Sequence, residues 1–157
     1  MAERRPPFLK AADLPSRSST AYPKAVAAVV AGREKRVLGD PFGLEQFGVN
    51  LTTLAPGAAS AHRHWHERED EFIYVLDGEI TLLDDTGEHK LSTGMCAGFK
   101  AGVANGHCLI NRSKAPATYL EIGSRSAEER SHYPDADLQG FSKDGNWNFT
   151  RKDGTAY

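Results

Sequence analysis

Long hydrophobic runs are missing from this chain of 157 residues. A helix needs about 20 consecutive apolar residues to cross a bilayer, and no segment approaches that length. Residues 1–7 lack the apolar stretch of a secretory signal. The sequence therefore predicts a protein of the cytoplasm that makes no contact with membranes.

Cysteine and net charge are also scarce. The two cysteines are expected to be reduced thiols, as is usual in the cytoplasm. The formal net charge of −2 provides no overall attraction for nucleic acid, so no nucleic-acid partner is expected. The longest basic cluster, residues 33–36, is interrupted by Glu34 and is interpreted as solvated surface rather than a phosphate-binding patch.

Helical periodicity is scarce as well. Pro23 to Ala31 carries small apolar residues at helical spacing, with a proline suited to the first turn and Gly32 suited to the end, so one short helix or an extended segment is expected. From Leu44 onward, short apolar segments alternate with turn residues, which is typical of an antiparallel barrel or sandwich. The segments predicted as strands are 47–54, 59–66, 71–76, 79–83, 89–91, 95–99, 107–111 and 118–122.

The most specific pattern is His64-Trp65-His66 followed five residues later by Glu71. Histidines two apart on a strand project from the same face. A tight turn after them would return Glu71 to their side, and His107 supplies a further imidazole. Imidazole nitrogen and carboxylate oxygen are good ligands for divalent first-row metals. The alternative is that the histidines are satisfied barrel residues and that Glu71 is their salt-bridge partner.

These residues resemble the two signatures of the cupin family. The first signature is matched by Gly57, His64, His66, Glu71 and Gly78. The second is matched more loosely by Gly94, Gly102, His107 and Asn111, with Lys100 where the family usually has proline and a longer loop before the histidine. The chain as a whole also resembles a group of small single-domain bacterial cupins of undefined function.

The resemblance implies an all-β fold, a double-stranded β-helix barrel that holds one divalent metal. The implied ligands are His64, His66, Glu71 and His107, with one or two coordination positions left open, as a catalytic or ligand-binding metal requires. The donor set suits iron, manganese, nickel, cobalt or zinc equally. The expected divisions are an N-terminal arm with a short helix at 1–42, the barrel at 43–125 and a C-terminal tail at 126–157.

Residues near the predicted ligands in the sequence are expected to have other roles. His62 is placed near the metal ligands or at the barrel mouth, Asp70 is the rival of Glu71, and Cys108 is expected to be a small buried thiol facing away from the metal. Trp65 is expected to point away from the metal, and Asn111 to order a loop. The aromatic residues of the tail predict that it is docked on the barrel or on a partner, the alternative being a flexible tail.

Function is predicted only in outline, because cupins support many reactions. The first hypothesis is a metal-dependent isomerase, lyase or oxygenase acting on a small polar molecule such as a sugar, hydroxy acid or carboxylate. The alternative is a non-catalytic protein that binds or senses a small molecule, and a third possibility is a storage or scaffold protein. Candidates for a general base are Tyr74, Tyr119, Glu121 and His62. A homodimer is expected, with the arm or the tail covering a sheet edge.

Overall fold

A computed structural model describes residues 7–157 as twelve β-strands and three short 3-10 helices. The helices are Ala11–Asp13, Ala27–Val30 and Asp40–Phe42. The strands are β1 Arg33–Val37, β2 Phe47–Leu54, β3 Trp65–His66, β4 Glu71–Asp77, β5 Glu79–Asp84, β6 Gly87–Ser92, β7 Cys96–Phe99, β8 Cys108–Ile110, β9 Ala117–Ser124, β10 Glu128–His132, β11 Gln139–Lys143 and β12 Asn146–Thr150. The predicted all-β fold is confirmed.

Three sheets, whose strand pairs are all antiparallel, build the molecule. The largest has the order β1-β2-β9-β4-β7, a second has the order β6-β5-β8, and a third has the order β12-β11-β10-β3. Isolated bridges join Ala59 to Ile110 and His64 to His107, so the segment before β3 also runs beside β8. A strand was predicted to begin here at residue 59, but regular strand structure begins only at Trp65.

The core lies between the five-stranded and three-stranded sheets and follows strand alternation. In β4, Ile73 and Val75 are buried, whereas Phe72 and Tyr74 are exposed on the opposite face. The inward residues form one apolar cluster: Leu54, Ala58, Ile73, Val75, Ile80, Leu82, Leu91, Leu109, Ala117 and Tyr119. At about 25 cal/mol per Å² of apolar area removed from water, this cluster is the main source of stability.

Gly78 separates β4 from β5 and has no room for a side chain. Its φ is +82°, and a Cβ there would lie 2.9 Å from the Cβ of Ala117 and 3.0 Å from the carbonyl oxygen of Pro116. Only glycine combines a positive φ with so close an approach of backbone from a neighbouring strand. The last glycine of the first signature is therefore a packing requirement of the fold.

The N-terminal side contains a short helix where one was expected, and one other prediction there is corrected by the structure. The expected helix between Pro23 and Ala31 is a single 3-10 helix, Ala27–Val30, in which Val30 alone is buried. Small alanines bury little area and cannot stabilise a longer helix. The basic cluster at residues 33–36, interpreted as solvated surface, is the strand β1, and Arg33 in it is 8% exposed.

Strand β1 lies within residues 1–42, where an arm was expected, and pairs with β2 along its whole length. Its outer edge is covered by the arm itself, because Arg17 and Lys35 exchange two backbone hydrogen bonds of 2.8 and 2.9 Å. An edge strand covered in this way presents fewer free N–H and C=O groups to other chains. The part of the arm at residues 1–6 lies outside the described residues.

Residues 126–157 contain the three strands β10, β11 and β12. The pairing of β10 with β3 attaches them to the barrel. His66 pairs with Ser131 and Trp65 pairs with His132. Arg63 adds a side-chain link, since its guanidinium donates to both carboxylate oxygens of Asp135 at 2.7 and 2.8 Å. The strand that carries His66 is therefore held in place by the end of the chain.

No helix among residues 7–157 is long and apolar enough to cross a membrane.

Candidate metal centre

The side chains of the predicted metal site lie close together, on β3 and the segment before it, at the start of β4 and just before β8. Ligand atoms of His64, His66 and Glu71 all lie within 4.8 Å of one another. The Nε2 atoms of His64 and His66 are each 3.7 Å from Glu71 Oε2. His107 stands just outside this set and contacts it through Glu71, with its Nε2 2.7 Å from the same carboxylate oxygen. The turn between β3 and β4 thus returns Glu71 to the histidines, as the sequence predicted.

The backbone carbonyl of His62 fixes the orientation of His64. His64 Nδ1 lies 2.8 Å from this oxygen and donates to it, which leaves Nε2 as the free nitrogen facing Glu71. Burial lowers the pKa of His64 from 6.5 to about 4, although the Glu71 carboxylate opposes that shift. His64 is therefore neutral at physiological pH, the form that binds a metal.

Glu129 faces Nδ1 of His66, as the carbonyl of His62 faces Nδ1 of His64. Its carboxylate is buried and accepts backbone N–H groups from Glu67, Arg68 and Arg130 at distances between 2.7 and 3.3 Å. His66 Nδ1 is buried without a hydrogen-bond partner among the described residues and lies 4.0 Å from Glu129 Oε1. This arrangement directs Nε2 of His66 toward Glu71, and a small approach would complete a hydrogen bond from Nδ1 to Glu129.

Phe99 and Glu71 hold His107 from two sides. The imidazole stacks on the Phe99 ring with 3.5 Å between centroids and 1° between planes. Burial would raise the pKa of the Glu71 carboxyl, but the hydrogen bond from His107 and the fields of the three histidines outweigh it and lower the pKa well below its usual range. Glu71 is therefore an anion at neutral pH.

These donors fit a divalent metal. The cluster offers three imidazole nitrogens and one carboxylate, and in His64 and His66 the second nitrogen is turned to an oxygen outside the cluster. Outer carbonyl or carboxylate partners of this kind orient metal-binding histidines and fix their tautomer. Three nitrogens and one oxygen leave room for a substrate atom on the metal. Ligation by these four residues remains a prediction.

The rival and neighbouring residues take other places. Asp70 is exposed and accepts the backbone N–H of Ala101 at 2.8 Å. His62 turns its ring away and contacts the carbonyl oxygen of Val26 at 2.8 Å. Cys108 is buried, and burial raises its pKa to about 11, so it is an inert thiol. Asn111 is fully buried and donates to the carbonyls of Leu54 and Ala115, which orders the loop after β8.

Trp65 also points away from the cluster. Its ring stacks on the His132 imidazole, with 4.2 Å between centroids and 16° between planes. This contact belongs to the junction between β3 and β10, on the opposite side of β3 from the ligand histidines.

A cavity of about 260 Å³ opens beside the cluster. One wall carries Glu121, whose carboxylate accepts hydrogen bonds from Lys35 Nζ at 2.5 Å and from the Asn50 side chain at 3.2 Å. Tyr119 lines the same wall, and burial raises its pKa well above 10. Two of the four residues suggested as a general base, Glu121 and Tyr119, thus line the cavity, whereas Tyr74 is exposed on the outer face of the sheet.

Aromatic residues from the two ends of the chain close the cavity, and sequence reasoning did not assign them to the site. Tyr133 stacks on His64 with 5.6 Å between centroids, and Tyr22 meets Tyr133 edge to face at 6.0 Å. Trp147 and Phe149 of β12 complete the wall. The aromatic content of the tail was the available signal, but it predicted docking without saying where.

Comparison with known proteins agrees with this geometry. The family described as Cupin domain matches residues 50–123. A sugar phosphate isomerase of the cupin superfamily from Silicibacter pomeroyi is 44% identical over 96% of this chain and 96% of that chain, with a TM-score of 0.92. A protein from Acidithiobacillus ferrooxidans, provisionally named a sugar phosphate isomerase, is 30% identical over 76% of each chain, with a TM-score of 0.70.

More distant similarity concerns the fold alone. The polyketide cyclase RemF from Streptomyces resistomycificus is 18% identical over 74% of this chain and 78% of its own, with a TM-score of 0.62. No curated protein matches the sequence significantly.

Proposed function

This chain belongs to the cupin superfamily, and we propose that it is a metal-dependent isomerase acting on a small phosphorylated sugar. One observation supports this proposal above the others. The His/Glu cluster and an independent carboxylate, Glu121, line the same cavity. The similarity to the isomerase from Silicibacter pomeroyi over nearly the whole chain favours the same class of reaction.

The cluster supplies one half of the chemistry. A divalent metal held by His64, His66, Glu71 and His107 would act as a Lewis acid toward a carbonyl oxygen of the substrate. Glu71 remains ionised because the three histidines lower its pKa, and His64 remains neutral because it is buried. The protonation states that ligation requires are therefore present at neutral pH.

Glu121 supplies the other half as the base. It removes the proton from the carbon that bears a hydroxyl group and returns it to the former carbonyl carbon, while one hydroxyl proton passes to the other oxygen. One C–H bond breaks and one forms, so the reaction needs no oxidant. Lys35 and Asn50 hold the carboxylate against the wall, and general base catalysis of this kind contributes about 10²–10⁴-fold.

The aromatic wall excludes water from the reaction. Tyr22, Tyr133, Trp147 and Phe149 line the cavity beside His64 and contact one another. An enclosed, poorly hydrated site strengthens the electrostatic interactions inside it and protects an intermediate from solvent.

Substitution of Glu121 tests this assignment. In Glu121→Gln, turnover of aldose and ketose phosphates, followed by NMR, should fall at least a hundredfold. Metal content should stay at the wild-type level, because Glu121 is not in the ligand cluster. Glu128→Gln is the matched control, since Glu128 is exposed on β10. Saturable sugar phosphate binding by wild-type protein with no turnover would instead identify a binding protein.

We also propose that the protein is a homodimer in the cytoplasm. The arm covers the edge of β1 within the chain, and the surface that we propose for the partner is the outer face of the five-stranded sheet. On that face Phe72, Tyr74 and Leu76 are each about 40% exposed beside the half-buried Leu120. Large exposed apolar patches mark interaction sites. The free thiols Cys96 and Cys108 suit a reducing compartment.

Light scattering at micromolar concentration tests the dimer. Wild-type protein should have twice the mass of one chain, and Tyr74→Lys should shift it toward the mass of one chain, because it places a charge in the apolar face. Phe141→Lys, which changes an exposed aromatic residue of β11, should leave the mass unchanged. A monomeric wild-type protein would refute the proposal.

A further inference from the structure

Arg33 is a buried cation in the wall of the cavity. It is 8% exposed and, among residues 7–157, it is the one lysine or arginine in the buried class. Alternation along β1 sends Arg33 and Lys35 to the inside of the barrel and Glu34 and Arg36 to the other face. Both inward residues line the cavity beside the His/Glu cluster.

The hydrogen bonds of Arg33 leave its charge uncompensated. Its guanidinium donates to the carbonyl oxygen of Ser60 at 2.5 Å and to that of Ser19 at 3.5 Å. No carboxylate of residues 7–157 lies within 4.0 Å of it, which is the limit for an ion pair. Lys35 is paired with Glu121, and Arg63 is paired with Asp135.

A buried charge without an opposite charge is costly, so its presence in a cavity calls for an anionic partner. Arg33, Lys35 and a divalent ion would bring four positive charges to the cavity, and Glu71 and Glu121 bring two negative ones. The surplus of two matches a phosphate monoester, which carries about −1.5 to −2 charges at pH 7. A neutral sugar would leave this surplus unbalanced.

We propose that Arg33 is the anchor for the phosphate group of the substrate, an inference that rests on the proposed isomerase function. A guanidinium presents five N–H groups in a planar fork, and two of those in Arg33 are directed at carbonyls. The remaining donors can bind two phosphate oxygens at once, the geometry for which arginine is preferred over lysine. Anchoring the phosphate here would place the other end of the sugar toward the cluster and Glu121.

The test measures the dissociation constant of inorganic phosphate by titration calorimetry, on manganese-loaded and on chelator-treated protein. Arg33→Gln should weaken phosphate binding at least tenfold in both preparations, and Arg33→Lys should weaken it less, because it keeps the charge but loses the fork. Arg36→Gln is the matched control, since Arg36 is on the same strand and also donates to a carbonyl, that of Leu14 at 3.2 Å. Acetate in place of phosphate should bind more weakly.

A second measurement needs no variant. Phosphate should slow the modification of Arg33 by phenylglyoxal, mapped by mass spectrometry, and should not slow that of Arg36. Equal phosphate affinity in wild-type and Arg33→Gln protein, or equal modification of Arg33 with and without phosphate, would overturn the proposal. Phosphate that binds only in the presence of manganese, whatever residue occupies position 33, would indicate binding to the metal instead.

The two proposals fail in different ways. If phosphate binds at Arg33 and no sugar phosphate is turned over, the isomerase is wrong and the anchor remains. If sugar phosphates are turned over and Arg33→Gln has an unchanged KM, the isomerase remains and the anchor is wrong.

Discussion

The two ends of the barrel interior differ although the same strands build both. Along β4 the inward residues are Glu71, then Ile73, then Val75, so the strand passes from the polar cluster into the dry core. Because β9 is antiparallel to β4, the order along the chain is reversed, with Ala117 and Tyr119 in the core and then Glu121 in the cavity at the same end as Glu71. One end is packed like the interior of any protein, and the other is filled with charged and titratable groups.

The dry end of the barrel maintains the polar end. The charged side chains that line the cavity, Arg33, Glu71 and Glu121, gain no hydrophobic free energy there, so they are held in place by packing further along the strands. Damage at the dry end should therefore appear as lost stability, and damage at the polar end as lost binding.

The largest loss of stability is expected at the dry end. Leu54 is fully buried, and Leu54→Ala should lower the free energy of unfolding by about 2–5 kcal/mol, because the transfer free energy is lost and a cavity remains. Urea denaturation measures it. Leu51→Ala, on the outer face of the same strand, should cost less. The folded Leu54→Ala protein should keep its metal, and a loss of metal would contradict the separation.

Removing a ligand should have the next largest effect. His66→Ala is expected to strip most of the divalent metal, measured by elemental analysis. A ligand at a hundredfold excess over its Kd stabilises the folded state by about 2.7 kcal/mol, and this increment should disappear from melting curves. His62→Ala is the control, because its ring contacts Val26 and the carbonyl that orients His64 is retained. Stoichiometric metal in His64→Ala/His66→Ala protein would refute the ligand assignment.

The pH dependence of metal-free protein should also be set at the polar end. The pKa of His64 is about 4 in the folded protein and about 6.5 in the unfolded chain. Between these values the unfolded state binds a proton that the folded state does not, so the free energy of unfolding falls as pH is lowered from 6.5 toward 4. Because one pKa unit is 1.36 kcal/mol, the loss is about 3 kcal/mol at most.

Measurements at pH 7 and pH 5 separate the contribution of His64 to stability from that of Glu71. The lowered pKa of Glu71 gives stability that is lost only as pH falls below about 4.5, the ordinary value of a glutamate. Denaturation in the presence of chelator should show lower stability at pH 5 than at pH 7. His64→Gln should reduce the difference, and an unchanged difference in that variant would exclude His64 as its cause.

The smallest effect is expected from the carboxylate behind His66. Glu129→Gln keeps the size of the side chain but removes the charge that faces His66 Nδ1. Loss of such a partner typically weakens metal affinity 10–100-fold, or about 1.4–2.7 kcal/mol. Competition with a chromophoric chelator measures the affinity. Glu128→Gln, on the exposed face of the same strand, should leave it unchanged, and equal effects of the two variants would show that Glu129 does not act through His66.

The parts of the fold that could be predicted are those whose signal lies within a short stretch of the sequence. The strands β2, β4, β5 and β9 are rich in aromatic, β-branched and other apolar residues, and His64, His66 and Glu71 are linked by one turn, so their proximity follows from the chain itself. His107 was predicted through the family signature and lies against Glu71 by tertiary pairing with His64.

Strands β1 and β10 could not be predicted because their inward residues are polar. In β1 both faces carry charges, since the inward face meets the cavity instead of the core, and the cluster at 33–36 therefore resembled a solvated surface. In β10 the buried residues are Glu129 and Ser131, and the Glu129 carboxylate is satisfied by backbone N–H groups of a distant loop. No local pattern in the sequence reveals such partners.

The pairing of β3 with β10 also sets the order in which the site can be made during translation. All four predicted ligands have been synthesised by residue 107, but Ser131 and His132, which hold β3, and Trp147, which lines the cavity, come later. At ~5–20 residues per second, the last 50 residues take roughly 3–10 s. A nascent chain therefore carries the four predicted donors for seconds before the cavity wall exists.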